Sequence, residues 1–93
     1  MVVYILDNAS ETLRGELCKW VLEVKAGVFV GKLSRVVREK LWDKISEENI
    51  RGALMIYKTN TEQGYRIEMI GEPYRSVIDL DGVQLIERRV QEK

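Results

Sequence analysis

The sequence contains no histidine, and only one cysteine and one proline among its 93 residues. Without imidazole there is no Ser-His or Cys-His nucleophile pair, no histidine general base and no histidine-ligated zinc. A single thiol, Cys18, excludes an intrachain disulfide and a CxxC site. It falls inside a helical pattern beside Trp20 and reads as a small buried hydrophobe. Any metal is therefore expected to be a hard cation held by carboxylates, such as magnesium, and the residues call for no other cofactor. No run of about 18 apolar residues occurs, so nothing here reads as a membrane span. Met1–Leu6 is too short for a secretory signal and runs straight into polar residues, which points to the cytoplasm. Net charge is also missing, with 15 basic residues set against 15 acidic ones.

What is present describes a small globular protein. Apolar residues make up 45% of the chain, too many for a disordered segment. The length suits one domain, 1–93, and not two. A core this small leaves much surface wet, so burial against another copy would help it. The charge is also unevenly placed. Between Arg14 and Lys44 stand eight basic residues and four acidic ones, and the remainder of the chain carries the balancing negative charge. Such asymmetry suits one anionic and one basic partner, although solvated helix faces produce it too.

Val2–Leu6 is a β-branched apolar run bounded by Asp7-Asn8 and reads as a strand buried on both faces. Asn8 or Ser10 can cap the helix that follows, and Asn8 with Glu11 fits a capping box. Leu13, Leu17, Trp20 and Val21 recur at helical spacing, so that helix is expected to end near Leu22. Val24, Val28, Phe29 and Val30 around Ala26-Gly27 give two short strands or one bent strand. Ser34 is the N-cap of a second helix with Val36, Val37, Leu41, Trp42 and Ile45 on one face. Gly52–Lys58 and Tyr65–Ile70 form a hairpin across the turn at residues 59–64. Asp81-Gly82 marks a further turn before a last strand at Val83–Ile86.

That order is economical as an α+β, ferredoxin-like βαββαβ sandwich: one sheet, two helices on one face, and extra C-terminal β strands. The tail strands need an edge to pair with, and a partner chain could provide one. The sheet lacks the aromatic pairs of an RNA-recognition module, and the chain lacks a Gly-rich phosphate loop.

Five segments then carry a resemblance: Leu13-Arg14-Gly15, WVLEVKAGVFVG at 20–31, VREKLW at 37–42, TNTEQGY at 59–65 and DLDG at 79–82. In this order and near this spacing, over roughly Val2 to Val90, the chain resembles the CRISPR-associated Cas two family in its subtype I-E branch. The resemblance implies a ferredoxin-like fold and a homodimer. In that family the dimer lies at the centre of a spacer-acquisition complex, flanked by dimers of the first CRISPR-associated protein, the integrase. The complex captures a short DNA duplex and inserts it into the CRISPR array. The integrase performs the transesterification, while the Cas two dimer bridges and holds the backbone of double-stranded DNA.

The resemblance also assigns residues. Asp7, at the end of the first strand, matches the aspartate proposed in the wider family as the catalytic magnesium ligand of an endonuclease, one from each subunit. Two such carboxylates could share a metal and activate water; equally, Asp7-Asn8 can simply open a turn. Arg14 and Arg75 match basic positions of the branch, with Tyr74 in place of the basic neighbour of Arg75. Arg35 and Arg38 flank a position, Val36, where the branch is basic. These five are the expected nucleic-acid contacts, and arginine suits phosphate through its two-pronged donor. Glu62 and Asp81 match acidic positions that face the integrase, where they would pair with its arginines. Turn chemistry alone also favours acidic residues at such places.

Overall fold

In the computed structural model, residues 1–71 are described throughout, and 75–80 and 83–88 as backbone strands. The elements in chain order are β1 (Val2–Asp7), α1 (Glu11–Leu17), β2 (Leu22–Lys25), β3 (Val28–Gly31), α2 (Arg35–Glu47), β4 (Gly52–Lys58), β5 (Tyr65–Gly71), β6 (Arg75–Leu80) and β7 (Val83–Arg88). The first five strands form one sheet in the order β2-β3-β1-β4-β5, with every neighbouring pair antiparallel. This is the α+β, ferredoxin-like arrangement, with β5 added beside β4 by the hairpin. No described helix is long and apolar enough to cross a membrane.

β1 is the central strand, and its alternation organises both faces. Val2, Tyr4 and Leu6 are buried while Val3, Ile5 and Asp7 are half-buried, so one face is fully covered and the other partly. Register carries this pattern across the sheet. Tyr4 lies opposite Phe29 on β3 and Met55 on β4, and all three pack with Leu13, Leu17, Leu41, Trp42 and Ile45 from the two helices. Both helices thus lie on that face. Each large side chain fully buried there contributes about 1.5–3 kcal/mol. The Tyr4 hydroxyl donates to the Arg38 carbonyl at 2.8 Å, and its ring stacks on Trp42 at 6.3 Å between centroids. Burial pushes the Tyr4 phenol well above its ordinary value, so it remains a donor.

Five local expectations are corrected. Helix α1 stops at Leu17, not near Leu22, as the Lys19 and Trp20 amides tighten onto the carbonyls three residues back, Glu16 and Leu17. The residues beyond are taken by the sheet, with Leu22 opposite Val30 and Glu23 opposite Phe29. With the helix ended, Val21 alone goes inward, set against the bare Gly31, where an added Cβ would stand 2.5 Å from its Cγ1. Cys18 and Trp20 turn outward, Trp20 to 57% exposure. The N-cap of α1 is Ser10, whose Oγ accepts from the Leu13 amide at 3.1 Å, while Asn8 takes a left-handed φ of 66°, a conformation asparagine tolerates. On α2, Val36 is 63% exposed, because the helical repeat of the Trp42 face brings Arg38 inward in its place. The Ser34 cap is as expected. At the tail, β7 runs on to Arg88 and pairs with β6 in a separate two-stranded sheet, Leu80 opposite Val83.

The β2–β3 turn is fixed by Gly27. Its φ is 78°, its carbonyl accepts from the Leu6 amide at 2.7 Å, and an added Cβ would stand 2.5 Å from the Leu6 oxygen. A side chain there meets both a left-handed backbone and the central strand. Gly27→Ala is expected to cost about 2 kcal/mol, read as a lowered urea midpoint with unchanged slope.

Candidate nucleic-acid and partner interface

The candidate residues fall in different parts of the fold. Asp7 ends β1, opposite Gly52, which in turn lies opposite Gly71. No donor side chain therefore comes from its cross-strand neighbours on β4 and β5. Among the described residues, no three His, Cys, Asp or Glu side chains gather into a metal-holding set.

Arg14 is on α1 but is turned toward the β2–β3 hairpin. Its Nε and Nη2 donate to the two carboxylate oxygens of Glu23, at 3.1 and 3.2 Å. Glu23 also accepts from the Gly27 amide at 3.1 Å. The Gly27 amide and the Arg14 guanidinium together hold the Glu23 carboxyl below its ordinary value of 4.5. Arg14 remains 40% exposed and lines a small hollow with Asn8, Ala9 and Ala26 at the end of β1. It is a fixed, forward-held cation, with its fork already bonded to a carboxylate.

Arg35 and Arg38 do not form one patch. Arg35 is the first residue of α2 and is exposed. Arg38 lies with its guanidinium 3.9 Å above the Tyr57 ring, pairs with Glu39 at 3.4 Å, and has only 17% of its side chain exposed. This cation–π seat makes Arg38 part of the wall between α2 and the sheet. Burial, followed by the nearby Glu68 carboxylate, raises the Tyr57 phenol, so the ring stays neutral under the cation.

Glu62 is exposed in the β4–β5 turn. That turn is closed by the Thr59 amide to the Gly64 carbonyl and the Gly64 amide to the Thr61 carbonyl, both at 3.0 Å. Arg75 begins β6. Tyr74 and Asp81 lie outside the described residues.

Two features escaped the reading of the sequence. One is Glu23 as the partner of Arg14. Its signal was present, since alternation from Phe29 through the Gly27 turn puts Glu23 on the helix side. The other is the exposed Trp20 with lysines on both sides of it, hidden because its spacing from Leu13 and Leu17 suits a helix that had already ended.

A family model described as CRISPR-associated protein (Cas_Cas2CT1978) matches residues 1–85 of the chain.

The lowered Glu23 carboxyl has a pH consequence with a definite sign. A depressed native value means the ionised form is favoured by folding, so its contribution is complete above about pH 4.5 and lost as pH falls through the native value. Glu23→Gln should therefore be less stable than the wild type near pH 7, with the difference shrinking toward about pH 3. Urea midpoints across that range check it; a constant gap would show that Glu23 acts by packing and not by charge.

Proposed function

We propose, because the chain belongs to the family of CRISPR-associated protein (Cas_Cas2CT1978), that it is a spacer-acquisition subunit of the subtype I-E kind. In this reading it acts as a homodimer that bridges integrase dimers and holds the backbone of captured duplex DNA. The observation that carries the dimer is the second face of the sheet. Away from the helices, cross-strand rows run Val30, Val3, Ile56, Ile67 and Val28, Ile5, Leu54, Met69. All eight are apolar; in the single chain Leu54 and Ile67 are buried, Val3, Ile5, Val28, Val30 and Ile56 are only half-buried, and Met69 is exposed. A partly exposed apolar sheet face with no described helix on it favours burial against an identical face.

DNA would be held by Arg14, Arg35 and Arg75, with Tyr74 beside the last. For Arg38 to reach a phosphate its guanidinium has to leave the Tyr57 ring. Arg14 has to exchange Glu23 for phosphate, or donate through its remaining N–H groups. Glu62 and Asp81 would meet basic residues of the integrase.

The second reading is a magnesium-dependent endonuclease acting through Asp7. Among the described residues, Asp7 belongs to no group of three metal-ligating side chains. This reading therefore calls on the Asp7 of a second chain, brought close by the dimer.

Three measurements test the proposal. In a reconstituted integration assay with the cognate integrase, Asp7→Ala should retain insertion of a short duplex into a CRISPR plasmid. Loss of insertion by a folded, assembled variant would move the role to Asp7 chemistry. Ile5→Arg, in the middle of the second face, should give a monomer by light scattering and abolish integration; a dimer unaffected by the change would sink the face-to-face arrangement. Arg35→Ala should weaken duplex binding evenly across sequences and reduce the salt slope by about one.

A further inference from the structure

On the helix side of the molecule, away from the second sheet face, a groove of about 360 Å³ runs between the exit of α1 and the flank of α2. It is lined by Trp20, Val37 and Leu41, with Lys40 and Lys44 at its rim. An adjoining depression shares Trp20, Leu41 and Lys44 and adds Glu16 and Lys19. The α2 positions 37, 40, 41 and 44 are those of a single helix face. Lys44 is ion-paired with Glu16, which straps α1 to α2 and cancels one charge of each sign. Lys19 and Lys40, both exposed, then give the lining residues two net positive charges, with Glu47 and Glu48 near the Lys44 end only.

We propose that this groove docks an acidic protein segment, which sets one large apolar side chain on Trp20, Val37 and Leu41 and directs carboxylates to Lys19 and Lys40. The layout has the anatomy of a recognition site, with an apolar floor containing tryptophan and a charged rim. The lysines can lay their methylene stems along the floor and keep their ammonium groups at the edge. Single-stranded nucleic acid fits less well. Its grooves use successive aromatic platforms, whereas this floor has one ring and two aliphatic side chains. Among the described residues, the rim also carries no arginine fork for phosphate. The inference uses none of the residues assigned to DNA, integrase or the dimer, and stands apart from the spacer-acquisition reading.

The test is a titration of the full-length, 15N-labelled chain, followed by NMR, with three probes. They are an amphipathic synthetic peptide of Glu, Ala and Leu, the same peptide with Lys in place of Glu, and a short oligothymidylate. The acidic peptide should shift the Trp20 indole N–H and the amides of 37–44, and bind at least about tenfold tighter than the basic one. Trp20→Ala should weaken it about tenfold, and the double variant Lys19→Glu, Lys40→Glu should do the same. These side chains are exposed, and circular dichroism checks that each variant folds. No shift from the acidic peptide, equal binding of the basic one, or indifference to Trp20→Ala overturns the proposal. So does stronger perturbation of the same residues by oligothymidylate, which would give the groove to nucleic acid.

Discussion

The sheet has apolar side chains on both faces, and the described chain has helices for only one of them. Everything else in the molecule is arranged around that inequality. The residues of β1 divide between the faces, Val2, Tyr4 and Leu6 meeting the helices and Val3 and Ile5 turned away. Tyr4 holds the helical side together through three contacts of different kinds: a stack on Trp42, a hydrogen bond to the Arg38 carbonyl, and packing against Phe29 and Met55 across the strands. On the opposite side Leu54 and Ile67 are buried while Val3, Ile5, Val28, Val30 and Ile56 are only half-buried. In the proposed dimer a second copy covers these, and the folding of each chain then becomes partly a property of the pair.

A second organising element is polar and small. The Glu23 carboxylate gathers the Arg14 guanidinium and the Gly27 amide, and the Gly27 carbonyl in turn takes the Leu6 amide. One side chain thus joins α1 to the β2–β3 hairpin, and the hairpin to the central strand. In the proposed DNA-holding role, the arrangement would give Arg14 an intramolecular competitor for phosphate. Holding Arg14 in place lowers the conformational entropy lost on binding, while the carboxylate beside it adds repulsion toward any approaching phosphate. In that role the balance would select ligands dense enough in charge to displace or share the cation, as a duplex backbone is and a solitary anion is not.

Most of the fold was legible in the sequence. Element order, the Ser34 cap and the β4–β5 hairpin follow from period and turn chemistry, and these suffice for the ferredoxin-like arrangement. The misreadings cluster between Cys18 and Leu22, where apolar residues satisfy a helical and an extended period at once. Periodicity cannot choose between them; strand pairing with Val30 and Phe29 does. The same limit hid Arg38. A charged residue reads as a solvated one from sequence, and only the Tyr57 ring, nineteen positions later, makes the inward orientation favourable. For the candidate site, Asp7, Arg14, Arg35 and Glu62 stand on elements that the sequence located, whereas the bond between Arg14 and Glu23 depended on the hairpin turning back.

The two turns described in the main sheet differ in their ties to the rest of the molecule. The β2–β3 turn is bonded to the central strand and, through Glu23, to α1, so its length is set by parts of the protein far along the chain. The backbone bonds of the β4–β5 turn close between Thr59 and Gly64. Loop lengthening is cheap where the ends are already held by a hairpin. A change of length at the first turn would therefore propagate into β1, whereas the second closes its backbone locally. The molecule carries one turn that is architecture and one that is a local closure, so a different protein partner could be met by changing residues of the latter, Glu62 among them, without refolding the former.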